Sequence, residues 1–331
     1  MSQFNCYVVS KGEDKQVTAG MNHREVADLP EGEVLIRVAW SSLNYKDALA
    51  ASGRPGVAKK YPHIPGIDAA GEVAESTSPQ VKVGQKVLVT GYELGAGRWG
   101  GWSEYARVPA EWVIPLPEGM TTLDSMRLGT AGFTAALSVD ALLHHGIKPT
   151  SGEIVVTGST GGVGCLAVLI LAKLGYSVVA VTGKASQHDW LRKLGAKRVI
   201  TRQDVDVQGG NPLLKAVWAG AVDTVGGNTL ATILRSTDIG GCVTACGLVG
   251  GHELQMTVFP FILRGVTLSG IDTGWTRREK RLEIWKHLAS DWKPEGLAEL
   301  SQTVELKDVD APVRKILAGE IAGRTVVRIV T

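Results

Sequence analysis

The chain has 331 residues, with 35 Lys and Arg against 33 Asp and Glu; a formal charge of +2 gives no reason to expect a nucleic-acid or membrane-surface partner. Hydrophobic residues at 44% and charged residues at 21% are ordinary for a soluble globular protein long enough for two domains, and no apolar run reaches membrane-spanning length. Cys6, Cys165, Cys242 and Cys246 are scattered without a Cys-x-x-Cys pair, and the N-terminus MSQFNCYVVSKGED has no signal-peptide pattern, so a reducing cytoplasm is expected.

Residues 1–122 read as β-rich. Runs such as 33–40 (EVLIRVAW) and 86–90 (KVLVT) are punctuated by Pro and Gly turns, as in a compact barrel-like domain. The texture changes at Thr122, which starts a helical region to about His145, interrupted near Gly129–Gly132.

Residues 153–184 (EIVVTGSTGGVGCLAVLILAKLGYSVVAVTGK) then read as strand, glycine-rich turn, helix and strand. Val163, Leu166, Ala167, Ile170, Leu171 and Leu174 share one helical face, and Gly175 is placed to end the helix. This is a βαβ unit whose first turn would bring backbone N–H groups to a pyrophosphate. The fingerprint runs Ser159-x-Gly161-x-x-Gly164, with serine at its first position. Thr160, Gly161, Gly162 and Val163 are therefore expected to wrap the pyrophosphate.

The second strand ends in Thr182, Gly183 and Lys184, with no carboxylate before Asp189. A carboxylate there would bind a ribose 2′-hydroxyl, whereas Lys184, joined by Arg202 past the third strand, would attract a 2′-phosphate. NADPH is favoured over NADH.

Further strands are expected at 197–201, 221–225, 241–247 and 266–271, with helices at 186–194, 212–218, 228–236 and 259–264. The alternation implies a doubly wound parallel α/β sheet of about six strands, with Gly247 and Leu248 near its carboxyl edge. A charged helix (277–289), a strand (303–306), a helix (311–318) and a β tail (324–330) follow. The tail is read as completing the first domain's sheet, so that residues 1–122 and 273–331 form a discontinuous substrate domain around a cofactor domain of residues 123–272.

Five stretches in this order, SSLNYKD (41–47), IPGIDAAG (64–71), GGWSEY (100–105), GTAGFTA (129–135) and the turn of 157–164, resemble the medium-chain dehydrogenase/reductase superfamily over nearly the whole chain. SSLNYKD, IPGID and the closing Ala322-Gly323-Arg324-Thr325 resemble its YhdH/AcuI branch of NADPH-dependent quinone oxidoreductases and acrylyl-CoA reductases. The resemblance implies a GroES-like domain beside a Rossmann domain, a homodimer joined through the edge strand 266–271, and cofactor contacts from Thr273 and Arg324. Zinc-dependent members carry Gly-His-Glu where this chain has Gly66-Ile67-Asp68, and the cysteine cluster of a structural zinc is absent, so no metal is expected.

The resemblance places NYKD near the nicotinamide. Hydride would go to the β-carbon of an enoyl thioester and a proton to its α-carbon, with Tyr45 as the donor candidate and Asn44 beside it. Tyr45 also belongs among the expected cofactor contacts. Asp68 is open between orienting the site and serving as a structural acceptor. Arg54, Lys59, Lys60, Arg277 and Arg278 are candidates for CoA phosphates, and Trp99 and Trp102 either wall the pocket or pack. The favoured function is reduction of a short enoyl-CoA such as acrylyl-CoA. NADPH:quinone reduction is the alternative, and a non-catalytic NADPH-binding or sensing protein the third reading.

Overall fold

The computed structural model describes residues 3–330. It divides into two compact units, one of residues 1–130, 274–290 and 296–331, the other of residues 131–273 and 291–295.

The first unit opens with the hairpin β1 (Gln3–Lys11) and β2 (Val17–Glu25), followed by β3 (Val34–Leu43), α1 (Tyr45–Ala51), β4 (Asp68–Ser76), β5 (Lys86–Thr90), β6 (Tyr105–Val108) and β7 (Ile114–Pro115). Strand β3 is its axis. It pairs antiparallel with β4 and β6, and its apolar residues Val34, Leu35, Ile36, Val38 and Leu43 are buried. Trp102 is fully buried and donates its indole N–H to the Ser42 carbonyl at 3.1 Å, while Trp99 donates to the Pro62 carbonyl at 3.0 Å. Trp102 therefore packs the core of this unit, while Trp99 is half-buried against it.

Helix α2 (Thr122–His144) breaks at Gly129, whose φ of 53° and ψ of −156° are not helical. The second unit continues with β8 (Glu153–Val156), α3 (Gly162–Lys173), β9 (Ser177–Val181), α4 (His188–Lys193), β10 (Arg198–Ile200), β11 (Trp218–Asp223), α5 (Gly227–Ser236), β12 (Thr237–Ala245), α6 (Phe259–Arg264) and β13 (Thr267–Gly270). Its six strands are parallel in the order β10-β9-β8-β11-β12-β13. The strand order reverses between β8 and β11, which makes their carboxyl ends the topological switch point.

Two expectations are corrected here. Residues 212–217 form no helix, and Trp218 begins β11. Leu214 and Val217 donate their amides to the carbonyls of Arg235 and Ser236, and these long-range bonds hold the segment extended despite its apolar spacing. Strand β11 also ends earlier than expected, because Asp223 turns the chain by accepting the amides of Val225 and Gly226.

The chain closes with α7 (Arg278–Ala289), β14 (Ser301–Glu305), α8 (Asp310–Leu317) and β15 (Arg324–Arg328). Strand β15 lies between β14 and β3, so the tail does enter the first sheet. Among the described residues, no helix is long and apolar enough to cross a membrane.

Candidate active site

The expected site residues of the first unit separate into a buried network and one exposed aromatic. Asn44, the residue after β3, is extended and caps α1. Its partner in the capping box is Asp47, three residues on, because N-cap and N3 side chains can reach each other's backbone. Tyr45, between them, is turned outward and is 42% exposed.

Asp47 is fully buried. One of its oxygens accepts from the Asn44 backbone at 2.8 Å and side chain at 3.1 Å, the other from the amides of Gly66 at 3.0 Å and Ile67 at 2.7 Å. Burial and the nearby charge of Asp68 outweigh these donors and push its pKa up to about 7. Asp68 heads β4 and is also fully buried. It accepts from the Ser42 hydroxyl, the Asn44 amide at 2.8 Å, the Thr130 backbone at 2.9 Å and the Thr130 hydroxyl at 2.5 Å.

Arg324 completes the network. It is 3% exposed and donates to the Arg127 carbonyl at 3.0 Å and to the Asn44 side-chain oxygen at 3.2 Å. Gly129 gives the network its room: a Cβ there would lie 2.5 Å from an Asp68 oxygen and 2.9 Å from an Arg324 nitrogen. Asn44, Asp68 and Arg324 thus converge, but Asn44 and Asp68 are committed to each other and to their neighbours. They hold the segment in place, and Tyr45 is the member that faces outward.

In the second unit the turn after β8 is built for close approach. Gly158 has a φ of 56°, and a Cβ on Gly164 would lie 2.4 Å from the Gly158 carbonyl. Ser159, in place of the first fingerprint glycine, donates to the Val156 carbonyl at 2.7 Å and accepts from the Val181 amide at 3.0 Å, tying the ends of β8 and β9 together. Thr160 and Gly161 lead into α3, with Gly162 and Val163 in its first turn, where helical geometry leaves backbone N–H groups without intrahelical acceptors.

Past β9, the Lys184 amide bonds to the Thr182 hydroxyl at 3.1 Å. The Arg202 guanidinium lies over Gly183, so that a Cβ on Gly183 would be 2.8 Å from its Nε. Lys184 and Arg202 therefore flank the same glycine. Asp189, the nearest carboxylate downstream, is paired with Arg192 at 2.7 Å. Beyond β12, a Cβ on Gly247 would lie 2.0 Å from the Thr224 carbonyl, and Leu248 is 66% exposed. The Thr273 hydroxyl is 2.8 Å from that of Thr134.

Asp223, missed in the sequence, binds the Thr157 hydroxyl at 2.8 Å and the Gly226 amide at 2.7 Å, joining the carboxyl ends of β8 and β11. Burial raises its pKa. The sequence signal for it was a carboxylate ending an otherwise apolar strand. Ser42 and Thr130 were seen only as parts of longer motifs.

Residues 30–118 match the alcohol dehydrogenase GroES-like domain and residues 162–289 the zinc-binding dehydrogenase family. The acrylyl-CoA reductase AcuI of Ruegeria pomeroyi is 44% identical over 325 residues, covering 98% of each chain. The YhdH oxidoreductase of Salmonella enterica, solved in complex with NADP, is similar with a TM-score of 0.95 and 45% identity over 98% of this chain and 100% of its own. This chain belongs to the YhdH/AcuI acrylyl-CoA reductase family of the medium-chain dehydrogenase/reductase superfamily. YhfP of Bacillus subtilis, solved with NAD bound, is equally similar, with a TM-score of 0.96 and 44% identity over 99% of this chain and 100% of its own.

The superfamily includes zinc enzymes, and the residues of this chain do not fit zinc. Ile67 offers no donor atom, and the oxygens of Asp68 are occupied as described. His63 is buried with Nε2 2.9 Å from the Gly95 carbonyl, and burial lowers its pKa. Among the described residues, no group of three or more His, Cys, Asp or Glu side chains is placed to hold a metal ion. The residues do fit a phosphorylated dinucleotide: the glycine turn leads into the first-turn N–H groups of α3, and the Arg202 guanidinium lies against Gly183, with Lys184 next in sequence.

Proposed function

We propose that this protein is an NADPH-dependent reductase of the activated C=C bond of a short enoyl-CoA such as acrylyl-CoA, acting without a metal. The observation that carries this reading is the exposed Tyr45 phenol beside a fully bonded, buried base of Asn44, Asp47 and Asp68. A phenol carried on a backbone held in this way suits an oxyanion that develops only during reaction.

Bound NADPH would supply the hydride, delivered to the β-carbon. Tyr45 would donate a hydrogen bond to the thioester oxygen as enolate charge develops there, and would support protonation at the α-carbon. Asn44, Asp47, Asp68 and Arg324 hold the Tyr45 segment rather than react. Thr160, Gly161, Gly162 and Val163 would receive the pyrophosphate, and Thr182, Gly183, Lys184 and Arg202 the adenosine phosphate. Gly247, Leu248 and Thr273 are assigned to the nicotinamide side. The AcuI relative from Ruegeria pomeroyi supports the substrate class.

A homodimer would form through β13. This strand is an edge of its sheet, and α6 before it exposes Phe259, Ile262 and Leu263. A cytoplasmic setting suits the scattered thiols of the sequence.

Following reduced-nicotinamide absorbance with acrylyl-CoA and with a simple benzoquinone, each with NADPH and with NADH, tests the reading. Far higher kcat/KM for acrylyl-CoA with NADPH is expected, and preference for the benzoquinone would overturn the substrate assignment. Tyr45→Phe is expected to lower kcat by roughly 100-fold, with the KM for NADPH little changed. Unchanged turnover would remove Tyr45 from the chemistry.

A further inference from the structure

Trp275 is 63% exposed, and among the described residues it is the only exposed tryptophan. A large indole is normally mostly buried. It is nevertheless set in a rigid mount. Gly274, on one side, has its carbonyl bonded by the Tyr92 amide at 3.0 Å and by Arg281 at 2.9 Å. Thr276, on the other side, has its carbonyl bonded by Arg281 at 3.0 Å. Arg281 is fully buried and also holds the Thr90 carbonyl at 2.8 Å.

The ring beside Trp275 is fixed as well. Tyr92 meets the indole edge-on at 6.1 Å, stacks on Trp112 at 5.0 Å, and has the Arg281 guanidinium 4.2 Å from its centroid. An exposed aromatic face that is ordered in advance loses little entropy when a second ring stacks on it. Arg277, two residues on, is exposed. Two of the other cations considered for CoA phosphates are engaged elsewhere: Lys59 with Glu93 at 2.6 Å, and Arg278 with the Glu111 carbonyl at 2.9 Å.

The mount lies within reach of the Tyr45 segment. Thr90 is the sheet partner of Asp68, which is bonded to Asn44. From Asp68 across to Thr90 (~5 Å), along to Tyr92 (~7 Å), out along its side chain (~4 Å) and over to the indole at 6.1 Å is a path of roughly 22 Å. An extended phosphopantetheine arm spans such a path.

We infer that Trp275 and Arg277 form the subsite for the adenine nucleotide head of the acyl-CoA substrate, the indole stacking on the purine and Arg277 pairing with phosphate. The inference rests on the CoA-thioester reading above. It assigns the nucleotide end of the substrate, whereas Tyr45 serves the thioester end.

Trp275→Ala should raise the KM for acrylyl-CoA roughly tenfold with kcat unchanged. It should leave the KM for S-acrylyl-pantetheine, which lacks the nucleotide, as in the wild type. Trp275→Phe should recover most of the loss, and Arg277→Ala should raise the acrylyl-CoA KM several-fold in a salt-dependent way. An unchanged acrylyl-CoA KM in Trp275→Ala, or an equal loss with both thioesters, would overturn the subsite. Calorimetric titration of adenosine 3′,5′-bisphosphate into enzyme saturated with NADP+ decides it independently of turnover. Binding to wild type that is weakened in Trp275→Ala supports the subsite, and equal binding or none overturns it. A wild-type enzyme inactive on acrylyl-CoA would instead refute the substrate reading, leaving that titration to judge the subsite.

Discussion

Asp68→Asn is expected to lower kcat by roughly 100-fold and to cost about 1–3 kcal/mol of stability. The substitution keeps the size of the side chain but exchanges an accepting oxygen for a donating NH2 group. Asp68 accepts from four groups: the Asn44 amide and the Thr130 backbone N–H, which can only donate, and the Ser42 and Thr130 hydroxyls, which can turn to accept. Whichever way the new amide turns, its NH2 group meets a donor-only N–H, the Asn44 amide on one side or the Thr130 backbone on the other, and only a reoriented hydroxyl can accept from it. A buried group deprived of its acceptor carries its full desolvation cost. The activity loss follows because Asn44 caps the helix on which Tyr45 stands. Denaturant unfolding reads the stability term and single-turnover kinetics the chemical one. A variant with wild-type kcat would show that the buried network does not place Tyr45.

Removing both Lys184 and Arg202 by alanine substitution is expected to reduce kcat/KM with NADPH by roughly 100- to 1000-fold and to change kcat/KM with NADH little. The 2′-phosphate is the difference between the two cofactors, and charge-assisted bonds to it are made only with NADPH. Arg202 lies against Gly183. Asp189 is paired with Arg192, so no carboxylate at this strand end opposes the phosphate. The comparison is sharpened by the YhfP relative, solved with NAD bound at 44% identity. Equal losses with NADPH and NADH would mean that the two cations support the fold of the turn and do not select the cofactor.

Much of the second unit was legible because its signals are local. The apolar runs at 153–157 and 177–182 are strands, the helical face from Val163 matches α3, and Gly175 ends it with a φ of 82°. The failure at 212–218 is equally instructive. Its apolar spacing permits a helix, and only the carbonyls of Arg235 and Ser236 decide otherwise. In the first unit the strands were readable, but the roles of individual polar residues were not. Trp99 and Trp102 could wall a pocket or fill a core until their indole partners were known. Arg324 was expected as a cofactor contact, and only its burial at 3% exposure and its bonds to Arg127 and Asn44 place it in the network.

By itself the sequence determined the βαβ unit, the glycine turn, the lack of a carboxylate after the second strand and the lack of a donor at Ile67. Each depends on side-chain type, backbone freedom or periodicity within a few residues. Only the tertiary structure decided what Asp68 does. Its partners Ser42 and Thr130 are 26 and 62 positions away, and Arg324 meets Asn44 across 280. A carboxylate's role depends on which donors surround it and whether water is excluded, and those donors arrive from β3, the start of α1 and a broken helix, with the C-terminal tail bracing Asn44. No local pattern records that meeting, because the sheet that assembles it is closed by contacts between distant parts of the chain.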